Sequence, residues 1–483
     1  MTTSRLLCAL FCLLLCVPLP AAAREDSLAD QLTRQIETNR QRYGIAGQAV
    51  LVAHNDQVLF RGVDGYADLD TRQPVTLDSI FPLFSLSKLF TSTLVMQLVE
   101  QGSIDLDQPV RTYLPDLPER WKAITVRQFL NHTSGVPEYF VEAQMTGTAE
   151  ANASFAPDLR ALFASLADKP LVFPTGSDTR YTQTNYVVLA HLLETHYRKP
   201  YPQVASERII RRLHLTHTFL GDAALPKRGV ATDYLSKDRT LQKEPEIAWP
   251  DYALGHAGLY ASLGDLATFL QAVGNGDLVG KATLQQLWQP QVLSNGRRGW
   301  FATGWEIGES GGYRHVGHDG GARVRVRLLF ADTLDGDRYT ILYLTNGSAR
   351  SVWSRTLVDS VMATVAPQRF RAEALSEKLI GFALQAPDDR AIQVFSETLR
   401  ADSGIEKDTL ESTVNTAGYA IRSNLGADTA LVVFKLNTLL FPNSANTWDS
   451  LAETYAALDD KATAKTLYEK AQQLLRATTK TGQ

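Results

Sequence analysis

"FPLFSLSKLFTS", residues 81–92, sets two serines and a lysine into an otherwise apolar run. Ser85 and Lys88 are three residues apart, which on a helix puts both side chains on one face, one turn apart. A neutral lysine so placed can accept the serine proton while the serine oxygen attacks a carbonyl carbon. A helix N-terminus also offers unpaired backbone N–H groups and the positive end of the dipole, both suited to an oxyanion. Ser87 lies next to the lysine and does not share that face. Serine three residues before lysine is common in helices, so the rest of the chain has to distinguish a reactive pair from an ordinary helix start.

Working outward, "SLSKLFTSTLVMQLVEQG" (85–102) reads as a helix. Leu86, Leu89, Phe90, Leu94, Leu98 and Val99 line one face, and Gly102 stops it. Upstream, Leu28 to Tyr43 has helical spacing. "GQAVLVAHNDQVLFRGVDGYAD" (47–68) gives two strand-like runs around Asn55-Asp56, a hairpin signal. Downstream, loops and short helices run to about Asp251. "GHAGLYASLGDLATFLQAV" (255–273) is a turn followed by an amphipathic helix. From Phe301 to Asn346 the pattern turns to strands: "RVRVRLLFA" alternates and "RYTILYLTNG" is a buried run. Strands at both ends of one long segment, with helices between, predict an α/β (α+β) fold. Its antiparallel sheet is flanked by helices, carries a helical insert and ends near Pro367.

The expected organisation is a signal peptide over 1–23, one domain over 24–367 and a helical tail over 368–483, within the range that 483 residues allow. The first 23 residues hold one positive charge, an apolar run too short for a comfortable membrane span, and Ala21-Ala22-Ala23 before the cut. A secreted, periplasmic location follows as an expectation, with no membrane span in the mature chain. Cys8, Cys12 and Cys16 all fall in this leader. The mature chain then lacks a thiol nucleophile, a disulfide and cysteine zinc ligands. A formal charge of −4 without a basic block argues against a nucleic-acid partner.

The tail shows a 34-residue period over windows 411–444 and 445–478. Trp448, Leu451, Ala452, Tyr455, Ala464, Tyr468 and Ala471 occupy tetratricopeptide-like spacing. Gly418, Ala430, Phe434 and Pro442 take the corresponding places one window earlier. Such arrays need about three units to bury their faces. The tail should therefore pack on the preceding domain or continue upstream in a degenerate repeat around Leu375 to Leu399. It also offers a surface for a protein partner.

Two further segments carry polar groups beside secondary structure. "FPTGSDTRYTQTNYVVLAHLLE" (173–194) places Tyr181 and Gln183 in a polar turn before a helix. "HVGHDGGARVRVRLLF" (315–330) places His318-Asp319-Gly320-Gly321 beside a strand, where paired glycines let a ligand approach the backbone. With "DSIFPLFSLSKLFTS" (78–92), "ITVRQFLNHTSGVPEY" (124–139) and "GHAGLYASLGDLATFL" (255–270), these blocks resemble, in order, the serine beta-lactamase and penicillin-binding-protein superfamily. The likeness is nearest its class C beta-lactamase-related branch, which includes D-alanyl-D-alanine carboxypeptidases, D-aminopeptidases and esterases, and it covers about Asp26 to Asn346.

The resemblance implies a serine hydrolase acting on a small-molecule or peptide substrate, with no cofactor or metal. Ser85 would be the acylated nucleophile and Lys88 its activator. Tyr181 would pass the proton to the leaving group. The N–H groups of Ser85 and Gly321 would form the oxyanion hole, with Gln183, His318, Gly320 and Gly321 binding substrate. Two positions depart from the family pattern. Gln183 stands for the usual asparagine, with Asn185 as a candidate to compensate. His318 stands for the usual lysine, and an unperturbed histidine is mostly neutral at pH 7. Both departures weaken a true beta-lactamase reading in favour of esters, amides or D-amino-acid peptides. The alternative is a catalytically weak or inactive penicillin-binding-like protein that binds through its fold and tail.

Other motifs carry less. "GESGG" (308–312) fits a nucleophile elbow in letters, but a strand-like run follows it where a helix is required, so it reads as a hairpin turn. His191 and His196 diverge by roughly 140° on a helix and do not share a metal-binding face. His315 and His318 fall on opposite faces of a strand. His132 reads as a structural hydrogen-bonder. Sequons occur at Asn131, Asn152 and Asn346.

Overall fold

The computed structural model describes residues 26–141, 144, 148–221 and 229–481. The leader and its cysteines lie outside them. The chain begins with α1 (Leu28–Tyr43), whose Ser27 cap and Asp30 form a capping box and whose C-terminus closes on left-handed Gly44. The strands β1 (Gly47–His54) and β2 (Gln57–Asp68) follow as a hairpin. Asn55 and Asp56 both take positive φ, 46° and 67°, as a two-residue turn of matching twist requires. The short β3 (Gln73–Pro74) extends that edge.

The other strands of the same sheet are β4 (Phe301–Ala302), β5 (Trp305–Ser310), β6 (Tyr313–Gly320), β7 (Val324–Phe330) and β8 (Arg338–Thr345). The sheet order is β3-β2-β1-β8-β7-β6-β5-β4, antiparallel throughout. β1 pairs with β8 from Gln48↔Thr345 to His54↔Tyr339, so the two ends of the segment close one sheet. The "GESGG" motif is the β5–β6 hairpin, with Gly311 and Gly312 at positive φ.

On one face of the sheet lie α2 (Ser87–Glu100), α3 (Thr184–Tyr197) and α4 (Leu263–Asn275). Helix α2 differs from the one-faced helix expected. Every residue from Ser87 to Leu98 is buried, because the helix runs through the middle of this layer. Its polar side chains are satisfied inside: Thr91 Oγ1 donates to the Gly255 carbonyl at 2.6 Å, and Gln97 Nε2 to that of Leu278 at 3.1 Å. The alternating arginines of β7 do not face solvent. Arg325 and Arg327 are buried and pair with Asp319 and Glu306. Asn131 and Asn346 are buried too, so neither sequon presents a glycosylation site.

The opposite face packs on α1, on α5 (Ser354–Val365) and on the tail. The tail is all helical: α6 (Arg371–Ala383), α7 (Asp389–Ala401), α8 (Lys407–Leu425), α9 (Ala427–Leu440), α10 (Ala445–Ala457) and α11 (Lys461–Thr481). One apolar core joins Tyr43, Tyr343 and Leu357 to Leu375, Leu379, Val414 and Phe434. No helix among the described residues is long and apolar enough to cross a membrane.

Candidate active site

Ser85 does not sit inside an α-helix. It lies in a 3₁₀ turn, Phe84–Leu86, which leads into α2 at Ser87. The preceding residue, Phe84, has φ of +48°, a strained backbone for a non-glycine residue immediately before the candidate nucleophile. Ser87 has a local task. Its Oγ donates to the Phe84 carbonyl at 2.6 Å and accepts the Leu259 N–H at 3.2 Å, tying the turn to a short strand, Leu259–Ser262.

Lys88 is fully buried, with Nζ 3.1 Å from Ser85 Oγ and 3.3 Å from the His256 carbonyl. Burial holds its pKa well below the usual lysine range, against the opposing pull of Glu138. A neutral amine there can donate to His256 and keep its lone pair for the serine proton. Tyr181 stacks its ring 4.9 Å from Nζ. Burial drives the Tyr181 hydroxyl far above the ordinary phenol value, with Ser85 and Gln183 opposing. That hydroxyl is buried, and the side chains of Ser85 and Gln183 are the groups that face it. The pair is thus complementary: an amine that sheds its proton beside a phenol that keeps one.

The HDGG segment closes the site on the third side. In β6, Val316, His318 and Gly320 face the α2 layer, while His315 and Asp319 face the tail layer. The β5–β6 ladder ends at Glu306↔Gly317, so His318 to Gly320 extend past that neighbour. Gly320 packs on the turn before the serine, and a Cβ there would stand 2.2 Å from the Leu83 carbonyl oxygen. Gly321 follows at φ +53° against the Phe84 ring, exposed at the mouth beside half-buried Ser85.

His318 is 4% exposed and its pKa is pushed down to about 4, by burial first and then by Lys88. Its Nδ1 lies 2.6 Å from the Asp319 carbonyl and so donates to it. In the neutral ring Nε2 is then a lone-pair acceptor, and it has no partner. Gln183 also points inward: its Oε1 is buried and unpaired. Asn185 does not stand in for it. That amide accepts from Ser134 Oγ at 2.6 Å and meets His132 Nδ1 at 3.0 Å, one layer away. His132 is more than a remote structural group. Its ring lies 4.5 Å from that of Tyr181, tilted by 34°, and its Nδ1 accepts the Thr182 N–H at 3.2 Å.

Sequence reasoning passed over Glu138 and His256. Glu138 accepts from Gln183 N–H at 2.8 Å, Thr182 Oγ1 at 3.0 Å and Thr184 Oγ1 at 3.3 Å. The one available signal was a charge in an otherwise uncharged "FLNHTSGVPEYF". His256 had none, since its contribution is a backbone carbonyl. Among the described residues no group of three His, Cys, Asp or Glu is arranged for a metal ion.

An antiparallel sheet layered with helices, with a serine, a buried lysine and a tyrosine converging at its edge, defines the beta-lactamase/transpeptidase-like serine hydrolase class. A family model described as Beta-lactamase matches residues 32–355, and the chain belongs to that family. It is 28% identical to a D-aminopeptidase of Brucella anthropi over 300 residues, 62% of this chain and 55% of that one. The chain therefore spans about half the length of that relative. It is 27% identical to a penicillin-binding protein of Bacillus subtilis (strain 168) over 319 residues, 62% of this chain and 67% of the other. Among solved structures, the fold resembles the D-amino acid amidase from Ochrobactrum anthropi SV3. The TM-score is 0.58 at 19% identity, covering 71% of this chain and all of that one. EstCE1, a hydrolase with promiscuous acyltransferase activity, gives a TM-score of 0.57 at 21% identity, covering 70% and 98%.

Proposed function

We propose that this chain hydrolyses an amide, a D-amino-acid peptide or an ester through an acyl-enzyme on Ser85. The carrying observation is the fully buried Lys88 amine 3.1 Å from Ser85 Oγ. Ser85 Oγ bonds to the substrate carbonyl carbon and its proton passes to Lys88. The oxyanion lies between the N–H groups of Ser85 and Gly321. Tyr181 gives its proton to the leaving amine or alcohol as the carbonyl–leaving-group bond breaks, and regains one from Lys88. Water then attacks the acyl carbonyl, its proton goes to the Lys88–Tyr181 pair, and a carboxylic acid leaves with Ser85 reprotonated.

His318 supports substrates that are neutral or donor-bearing where they meet it. A lone-pair acceptor repels a carboxylate that a lysine would attract. The relatives' printed activities, D-aminopeptidase, amidase and esterase, support the same substrate range. The site would work outside the cytoplasm, in the periplasm, if 1–23 is cleaved as a signal. The division at Pro367, and a tetratricopeptide-like tail that docks a protein partner, belong to this reading. Three successive helix pairs, α6–α7, α8–α9 and α10–α11, support the tail assignment. So does Gly418, whose missing Cβ lets the Phe434 ring approach within 2.7 Å of where it would stand.

The test is labelling with a fluorophosphonate and a fluorescent penicillin, beside hydrolysis of p-nitrophenyl esters and D-amino-acid amides, with Ser85→Ala as control. Ser85-dependent labelling and turnover are expected. Neither one would leave the fold as a binding module.

A further inference from the structure

Glu138 touches no reacting atom, yet it sits where the two halves of the candidate site meet. It follows Pro137 in the loop opposite α2. Its Oε2 takes the Gln183 N–H and the Thr182 hydroxyl, while Oε1 takes its neighbour's N–H, Tyr139 N at 2.9 Å, and shares the Thr184 hydroxyl at 3.3 Å with the nearer Pro137 carbonyl at 2.8 Å. Thr182 and Gln183, immediately after Tyr181, therefore hang on one carboxylate, and Thr184 on that carboxylate and the carbonyl before it. Resting on the acyl-enzyme reading above, we infer that Glu138 is a positioning residue that locks the Tyr181 loop and, among the described residues, supplies the one carboxylate charge that acts on Lys88.

The groups that surround the lysine are otherwise neutral. From the turn before α2 comes neutral Ser85. From the 181–186 segment come the rings of Tyr181 and Tyr186, both phenols driven up by burial and so protonated. The imidazoles of His132, His256 and His318 also face it, and burial pushes all three below their ordinary value, so they are neutral at pH 7. Among the described residues, the one carboxylate that acts on Lys88 is Glu138, and it opposes the desolvation that strips the lysine of its proton. It also adds to the forces that keep Tyr181 protonated. One side chain thus limits how far the base is depressed and helps hold the proton on the acid.

Removing the Glu138 charge removes the attraction that raises the Lys88 pKa. The fraction of neutral lysine then grows at low pH, and the acidic limb of any Lys88-dependent rate moves to lower pH. A purely structural role predicts a lower plateau with the limb in place.

The experiment uses the full chain and the second-order rate of fluorophosphonate labelling of Ser85 from pH 5 to 10. Glu138→Gln keeps shape and one acceptor. Its acidic limb should move down while its plateau falls roughly ten- to a hundredfold, the cost of a loosened Tyr181 loop. Glu138→Asp withdraws the charge by one methylene and should shift the limb the same way by less. Thr184→Val removes a hydrogen bond without touching the charge, so only its plateau should fall. An acidic limb of Glu138→Gln that coincides with wild type overturns the inference. Should that variant lack a cooperative melt, an unmoved limb in Glu138→Asp does the same. A wild-type protein that Ser85→Ala shows to be unlabelled at every pH refutes the acyl-enzyme reading as well, which separates the two failures.

Discussion

Gly320→Ala isolates the contact between the strand end and the serine turn. Gly320 is not at positive φ, so alanine costs nothing in backbone conformation there and the effect is steric. The new Cβ would lie 2.2 Å from the Leu83 carbonyl oxygen and 2.6 Å from Val324 Cγ2. Real Cβ contacts fall no closer than roughly 3.0 Å, so the turn and the strand must part by about 0.8 Å. The turn is held by main-chain bonds, Leu83 N–H to the Leu259 carbonyl at 2.8 Å and Leu86 N–H to the Leu83 carbonyl at 3.0 Å, and cannot yield alone. Overpacking of this kind costs about 1–3 kcal/mol. The parting also separates Ser85 from Gly321, and a misplacement near 1 Å costs about a hundredfold in rate. Thermal melts should show a modest loss of stability. Fluorophosphonate labelling and p-nitrophenyl ester turnover should fall by about two orders of magnitude. A stable variant with wild-type labelling would refute the placement of Gly320 against the serine turn.

Lys88→Met should abolish labelling yet raise the melting temperature at pH 7. The folded-state pKa of Lys88 is depressed, so the unfolded chain binds the extra proton. Wild-type stability therefore climbs as pH rises toward the ordinary lysine value, and the advantage of the methionine variant should shrink along the same window in pH-resolved melts. His318→Lys should improve turnover of carboxylate-bearing beta-lactams relative to neutral esters, and an unchanged ratio counts against the acceptor assigned to Nε2. Because the His318 pKa lies at about 4, titration of this ring should leave no inflection in the wild-type rate profile above pH 6. Truncation after Pro367 should yield aggregated or unfolded protein by size exclusion and circular dichroism. It strips Phe370, Leu375, Leu379 and Phe434 from the core that covers the back of the sheet, at about 1.5–3 kcal/mol for each large apolar side chain exposed.

Local chemistry was legible without the fold. Asn55-Asp56 demanded a hairpin, because both residues accept positive φ. The 28–43 spacing and the strand after "GESGG" could be read from period alone. The polar blocks around Ser85, Tyr181 and His318 could be picked out by residue type and order. Faces were less readable. The arginines of β7 alternate as a solvated face would, but α5 and the tail cover that side and each guanidinium is paired with a carboxylate. Helix α2 presents an apolar stripe, yet it is buried all round, with the Thr91 hydroxyl bonded to the Gly255 carbonyl and the Ser92 hydroxyl to that of Tyr186.

The sequence by itself determined the Ser85–Lys88 spacing, the hairpin, the order of strands and helices and the helical character of the tail, since each depends on neighbours within a turn or a strand. Only the tertiary structure decided the protonation states. Lys88 loses its proton, Tyr181 keeps one and His318 becomes an acceptor because chain segments about a hundred residues or more apart exclude water from one small volume. Desolvation belongs to that enclosure and to no single residue. Glu138 gained its place in the same way, by meeting the 182–184 backbone and side chains across a gap of more than forty residues.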